Sequence, residues 1–326
     1  MPRLAAVLLF ACLAVAAAPA SPWDRGEVET FATLPAGAGL PEGLTIDAAG
    51  NLYVTTFDTG RMLVFDRHGS LLRDLQVAQA LLGLAFHPST GELLVLDYGN
   101  SKILRVNPAT GASSVFATMP AGQGLNALTF DGSGNVYVSA SFTGIIWRVG
   151  PHGGTPLVWS KDPLLSTTGF PPFGANGVEF NKAQNTLFVC NTGDDRLLSI
   201  PVKADGSAGA VSVFSNSING CDGIYIDGAD NIWAAANQSD ELVVVDPTGK
   251  VIAKLGDFTG VDAAGAPTGL LFPASPARYG EWMYVTNLSL DTRAAVGQQA
   301  VDSQWAAKVK TPTVARLRAR IPRLDR

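Results

Sequence analysis

Short apolar runs of five or six residues recur along the chain, each with strand-like alternation and each bounded by Gly, Asn, Asp or Pro. The clearest pair is FATLPAGAGLPEGLTIDAAGNLYVTTFDTG, starting at Phe31, and FATMPAGQGLNALTFDGSGNVYVSASFTG, starting at Phe116, which align once Pro41 is set aside as an extra residue. Looser copies fill the rest of the chain. Each predicts a first strand, a tight turn such as AAGN, GSGN or GADN, a second strand, a polar turn, then a third and a fourth strand.

The predicted first strands are EGLTID (42–47), LGLAFH (82–87), NALTFD (126–131), NGVEFN (176–181), DGIYID (222–227) and TGLLFP (268–273). They begin 40, 44, 50, 46 and 46 residues apart. Four short strands per 40–50 residues is the period of a propeller blade. One blade cannot bury both faces, so six copies predict an all-β, six-bladed β-propeller. The sixth copy has a second strand at 282–287 and a third at 314–321 but no fourth. Residues 27–34 (EVETFATL) have the pattern of a fourth strand and precede the first copy. This N-terminal strand is therefore expected to complete blade six, closing the ring and covering an edge. Two segments break the period: 161–175, with Phe170 and Phe173, and 290–311, with a partly helical pattern and Trp305. Long insertions on a repeat scaffold are candidates for function.

The first twenty residues stand apart. Arg3, the apolar stretch Leu4–Val15 and the small-residue sequence Ala18-Pro19-Ala20 have the form of a cleaved signal peptide, leaving one propeller domain over 21–326. Residues 1–20 thus predict export, to a periplasm or beyond the cell, and no later segment is long enough to span a bilayer. In an oxidising compartment Cys190 and Cys221 have two open fates, a disulfide or two buried thiols. The net charge of −5 argues against nucleic acid as a partner.

In a propeller, equivalent positions of the innermost strands converge on the axis. The residue before the recurring small residue reads Glu42, Leu82, Asn126, Asn176, Asp222 and Thr268 across the six copies. Two carboxylates and two amide carbonyls form a donor set for a hard cation such as Ca2+. Zinc would call for His or Cys, and His68, His87 and His152 each fall at a turn, where exposure is expected. No nucleophile elbow, phosphate loop or dinucleotide fingerprint is present. An empty polar funnel is the alternative to a bound ion.

With its ordered Glu42, Asn126, Asn176 and Asp222, the chain resembles the regucalcin/gluconolactonase-like (senescence marker protein-like) propellers and, more distantly, the paraoxonases and diisopropyl fluorophosphatase, over 28–321. The resemblance implies a calcium ion held by those four residues and metal-assisted hydrolysis of a lactone or related ester, with Asp222 as base or nucleophile. Two positions depart from the pattern. Ala127 stands where sugar lactonases have Asp, and Leu44 stands where they have Pro. Both point away from a sugar lactone, and Phe170 and Phe173 are expected to meet a less polar substrate. A non-catalytic propeller that binds a ligand or protein partner is the competing reading.

Overall fold

The computed structural model describes residues 24–322; residues 1–20, read from the sequence as a signal peptide, lie outside the described residues. Six four-stranded antiparallel sheets surround an axis. Blade one is Pro41–Ile46, Leu52–Thr56, Arg61–Phe65 and Leu71–Gln76, and blade two is Leu81–Phe86, Leu93–Asp97, Lys102–Val106 and Ser113–Thr118. Blade three is Leu125–Phe130, Val136–Ala140, Ile145–Val149 and Leu157–Lys161, and blade four is Ala175–Phe180, Thr186–Asn191, Arg196–Pro201 and Ser212–Asn216. Blade five is Cys221–Ile226, Ile232–Ala236, Glu241–Val245 and Val251–Leu255.

Blade six is closed as expected. Pro273–Tyr279, Trp282–Asn287 and Thr313–Arg318 supply three strands, and Val28–Thr33 pairs antiparallel to the last of them. Arg316 forms an ion pair with Glu29 at 2.8 Å, while Ala315 and Leu317 turn into the core. Phe31 packs edge-on against Tyr284 at 4.8 Å, so the closing strand also seals the seam between blades six and one.

The innermost strand of blade six is not the predicted 268–273. Thr268 lies in a separate hairpin, Phe258–Val261 with Pro267–Gly269. The apolar run Leu270–Phe272 is buried as a connector, anchored by Leu271 N–H donating to Asn287 Oδ1 (3.0 Å) and Phe272 N–H to Asp240 Oδ1 (2.7 Å). The true strand contains Pro273 and Pro276. Proline is tolerated there because an innermost strand is an edge with no partner on its axial side.

The innermost strand of every blade carries the same irregularity. Pairing skips two residues between Pro41 and Leu44, Leu81 and Leu84, Leu125 and Leu128, Ala175 and Val178, Cys221 and Ile224, and Pro273 and Pro276. A bulge of this kind re-aims a side chain. The second skipped residue must be small. A Cβ on Gly43 would lie 2.4 Å from Leu82 O, and one on Gly177 would lie 2.3 Å from Asp222 O. Hydroxyls tie neighbouring blades at the same level: Thr55 donates to Leu82 O (2.5 Å), Thr192 to Cys221 O (2.8 Å) and Thr286 to Glu42 O (2.6 Å). Cys190 and Cys221 are joined in a disulfide between blades four and five, with their Cα atoms 5.2 Å apart.

Candidate metal centre

The first skipped residue of each bulge is Glu42, Leu82, Asn126, Asn176, Asp222 and Ala274 in turn. Thr268 is thereby replaced by Ala274 in the sixth place. The structure brings Glu42, Asn126, Asn176 and Asp222 together around one small cavity on the axis, of about 40 Å³, room for an ion and a water or two. Glu42 and Asp222 are each only 4% exposed. Burial, and then the charge of Asp222, hold the Glu42 carboxyl well above its usual range. Burial likewise raises Asp222, partly offset by the amide of Asn237.

Hydrogen bonds turn oxygens toward the cavity. Asn176 Nδ2 donates to Thr192 Oγ1 (2.9 Å), which leaves Asn176 Oδ1 free. Asn237 Nδ2 donates to Asp222 Oδ2 (2.9 Å), which leaves Asp222 Oδ1 and Asn237 Oδ1 free. Among the described residues only one other buried side-chain oxygen or nitrogen lacks a partner, Asp302 Oδ2. Two unpartnered buried oxygens of cavity-lining residues, Asn176 Oδ1 and Asp222 Oδ1, beside the Glu42 carboxyl fit a hard cation, because each costs free energy until something positive meets it, whereas Asn237 Oδ1 turns to the backbone of Gly220. Among the described residues no cluster of three His, Cys, Asp or Glu side chains exists, so the set is two carboxylates completed by amide oxygens.

Asn237 was not among the residues singled out from the sequence. It follows the second strand of blade five within the turn NQSD, where asparagine is ordinary. Phe173 borders the cavity and stacks on Phe142 (centroids 6.1 Å apart). Phe170 does not line it; its carbonyl instead accepts from Gln238 Nε2 (3.0 Å). His68 and His152 are exposed as expected, but His87 is 1% exposed, with Nε2 2.9 Å from Gly134 O and its ring against Phe130. It is a packing residue between blades two and three. A larger cavity, about 390 Å³, opens at the other end of the axis and is lined by Glu179, Tyr225 and Arg278 among others. Its lining shows no unpartnered buried oxygens, so the smaller cavity is the candidate centre.

Residues 15–82 and 166–257 match the family described as the SMP-30/Gluconolactonase/LRE-like region. The match takes in just under half of the chain, and over those residues the chain is similar to this family. The fold of this SMP-30/gluconolactonase-like propeller is shared with a gluconolactonase from Xanthomonas campestris (15% identity, TM-score 0.65, 89% of each chain covered). It is shared too with a luciferin-regenerating enzyme (16%, 0.66, 90% of this chain and 95% of the other). A calcium-binding regucalcin from Agrobacterium tumefaciens is a third likeness (18%, 0.60, 91% and 98%). No curated protein matches the chain closely enough to count as a relative.

Proposed function

We propose that this propeller is a calcium-dependent hydrolase of a lactone or related ester. The observation that carries the reading is the pair of buried oxygens without partners, Asn176 Oδ1 and Asp222 Oδ1, beside buried Glu42 in one cavity. Likeness to a gluconolactonase and to a calcium-binding regucalcin supports it. When bound, calcium supplies Lewis acidity that polarises a carbonyl and stabilises a developing oxyanion.

The chain's own groups do the rest. Glu42 and Asp222 would balance the ion's charge, and Asn126 and Asn176 would fix its place through their amide oxygens. Thr192 and Asn237 hold Asn176 and Asp222 in the required rotamers. Asp222 Oδ1, with no donor of its own, is the atom placed to take a proton from an attacking water or to attack directly. An exported protein is part of the proposal, supported by the form of residues 1–20 and by a disulfide of the kind that persists in oxidising compartments.

A panel of lactones and esters, assayed with calcium and with chelator, tests the reading. Activity should require calcium. Asp222→Asn, which keeps an oxygen but removes the charge and proton-accepting role, should lower turnover at saturating calcium by about 10²–10³. Calcium binding with no hydrolysis across the panel would favour a binding propeller instead.

A further inference from the structure

The central cavity is two-sided. Two positions of the repeat divide in the same way. The bulged residue is Asn126, Asn176 and Asp222 in blades three to five but Ala274 and Leu82 in blades six and two, with Glu42 between them in blade one. The residue after the second strand is Ser141, Thr192 and Asn237 in blades three to five but Leu288, Phe57 and Tyr98 in blades six, one and two. Phe272 and Leu290 add to the apolar half of the cavity wall.

The apolar half continues as an aromatic arc. Phe57 meets Tyr98 (centroids 5.5 Å), Tyr98 meets Phe142 (6.0 Å), and Phe142 meets Phe173 of the insertion (6.1 Å). Within the apolar half the side-chain polar groups are the Glu42 carboxyl, at the ion site, and the hydroxyl of Tyr98. Phe57 and Tyr98 belong both to the cavity wall and to the arc, so hydrocarbon reaching toward the ion site would meet one continuous apolar surface.

We propose that the site takes an apolar acyl compound, an alkyl- or aryl-substituted lactone or ester. Its carbonyl oxygen faces Asn126, Asn176 and Asp222, and its hydrocarbon lies against Leu82, Phe57 and Leu288. The orientation rests on the hydrolase reading; the apolar preference rests on the wall itself. A polyhydroxylated ring would leave hydroxyls unpaired against Phe57, Phe272 and Leu288, which costs binding. A hydrocarbon chain instead gains about three- to fourfold per buried methylene.

The test compares kcat/KM for γ-butyrolactone, γ-hexalactone, γ-octalactone and glucono-δ-lactone in calcium, for the native sequence and for Phe57→Ser and Leu82→Ser. Calorimetry with N-methyl-, N-butyl- and N-hexylpyrrolidinone measures the same preference without turnover. The proposal expects both kcat/KM and affinity to climb with chain length, and either substitution to flatten the climb. Turnover that is best with gluconolactone, or independent of chain length, would overturn the apolar preference while leaving the hydrolase reading intact. No turnover, with pyrrolidinone affinity still rising with chain length and flattened by Phe57→Ser, would overturn the hydrolase reading and uphold the apolar site. Neither turnover nor chain-length-dependent binding would overturn both.

Discussion

Glu179 sits three residues beyond Asn176 on the innermost strand of blade four, facing the larger cavity at the opposite mouth of the axis. Burial pushes its carboxyl up to about 8, against an ordinary value near 4.5, and a backbone hydrogen bond from Ile226 only partly offsets this. Tyr225 and Arg278 face the same cavity. The folded chain therefore keeps a proton that the unfolded chain releases near pH 4.5. The contribution to stability is fully present below that pH and is lost as pH rises through about 8. Urea denaturation at a series of pH values should show stability falling across this window, and Glu179→Gln should make that slope shallower by its own share, the rest belonging to Glu42 and Asp222. An unchanged slope in the variant would mean the proton is held elsewhere. The same scale shows what residue types made legible. Glu42, Asn126, Asn176 and Asp222 stood out because chemistry and repeat position agreed. Asn237 did not, because an asparagine in a turn has a sufficient structural explanation and its role depends on which amide atom is already bonded.

Among the elements, the closing strand and the inner strand of blade six had opposite fates in the sequence. Val28–Thr33 was legible because its alternation matched two other fourth strands and because one blade lacked its own. Pro273–Tyr279 was not, because its two prolines suggest a loop and the connector after the inserted hairpin offers LLF as a more strand-like decoy. The bulge repeated in all six inner strands was also hidden. Sequence showed only its trace, a small residue after each ring residue, and the reason lies in a neighbouring blade's backbone carbonyl, tens of residues away. The closing strand carries an energetic consequence. Phe31 is nearly buried between Tyr284 of blade six and the core of blade one. Phe31→Ala should cost about 3 kcal/mol or more of unfolding free energy by denaturant titration. A loss below about 1 kcal/mol would mean that the closing strand contributes little at that seam.

For the molecule as a whole, six inner strands of nearly equal geometry place six residues around one axis, and the sequence decides which of them are polar. Legibility at this scale was high because periodicity is a property of the whole chain, and a misplaced sixth strand moved one ring residue, from Thr268 to Ala274, without disturbing the other five. The blade-to-blade hydroxyl bonds and the Cys190–Cys221 disulfide brace the strands that carry Glu42, Asn176 and Asp222. The resulting centre holds two carboxyls at raised pKa, with Asp222 Oδ1 and Asn176 Oδ1 lacking donors, so the central claim is that it binds a hard divalent cation. Calorimetric titration of the purified, chelator-treated protein with calcium, in two buffers of different ionisation enthalpy, tests this most directly. One ion per chain should bind with release of protons, because Glu42 and Asp222 must both ionise, and affinity should strengthen as pH rises. Asp222→Ala should abolish the binding. A native protein that takes up no calcium at millimolar concentration, or an Asp222→Ala variant that takes it up equally well, would contradict the account.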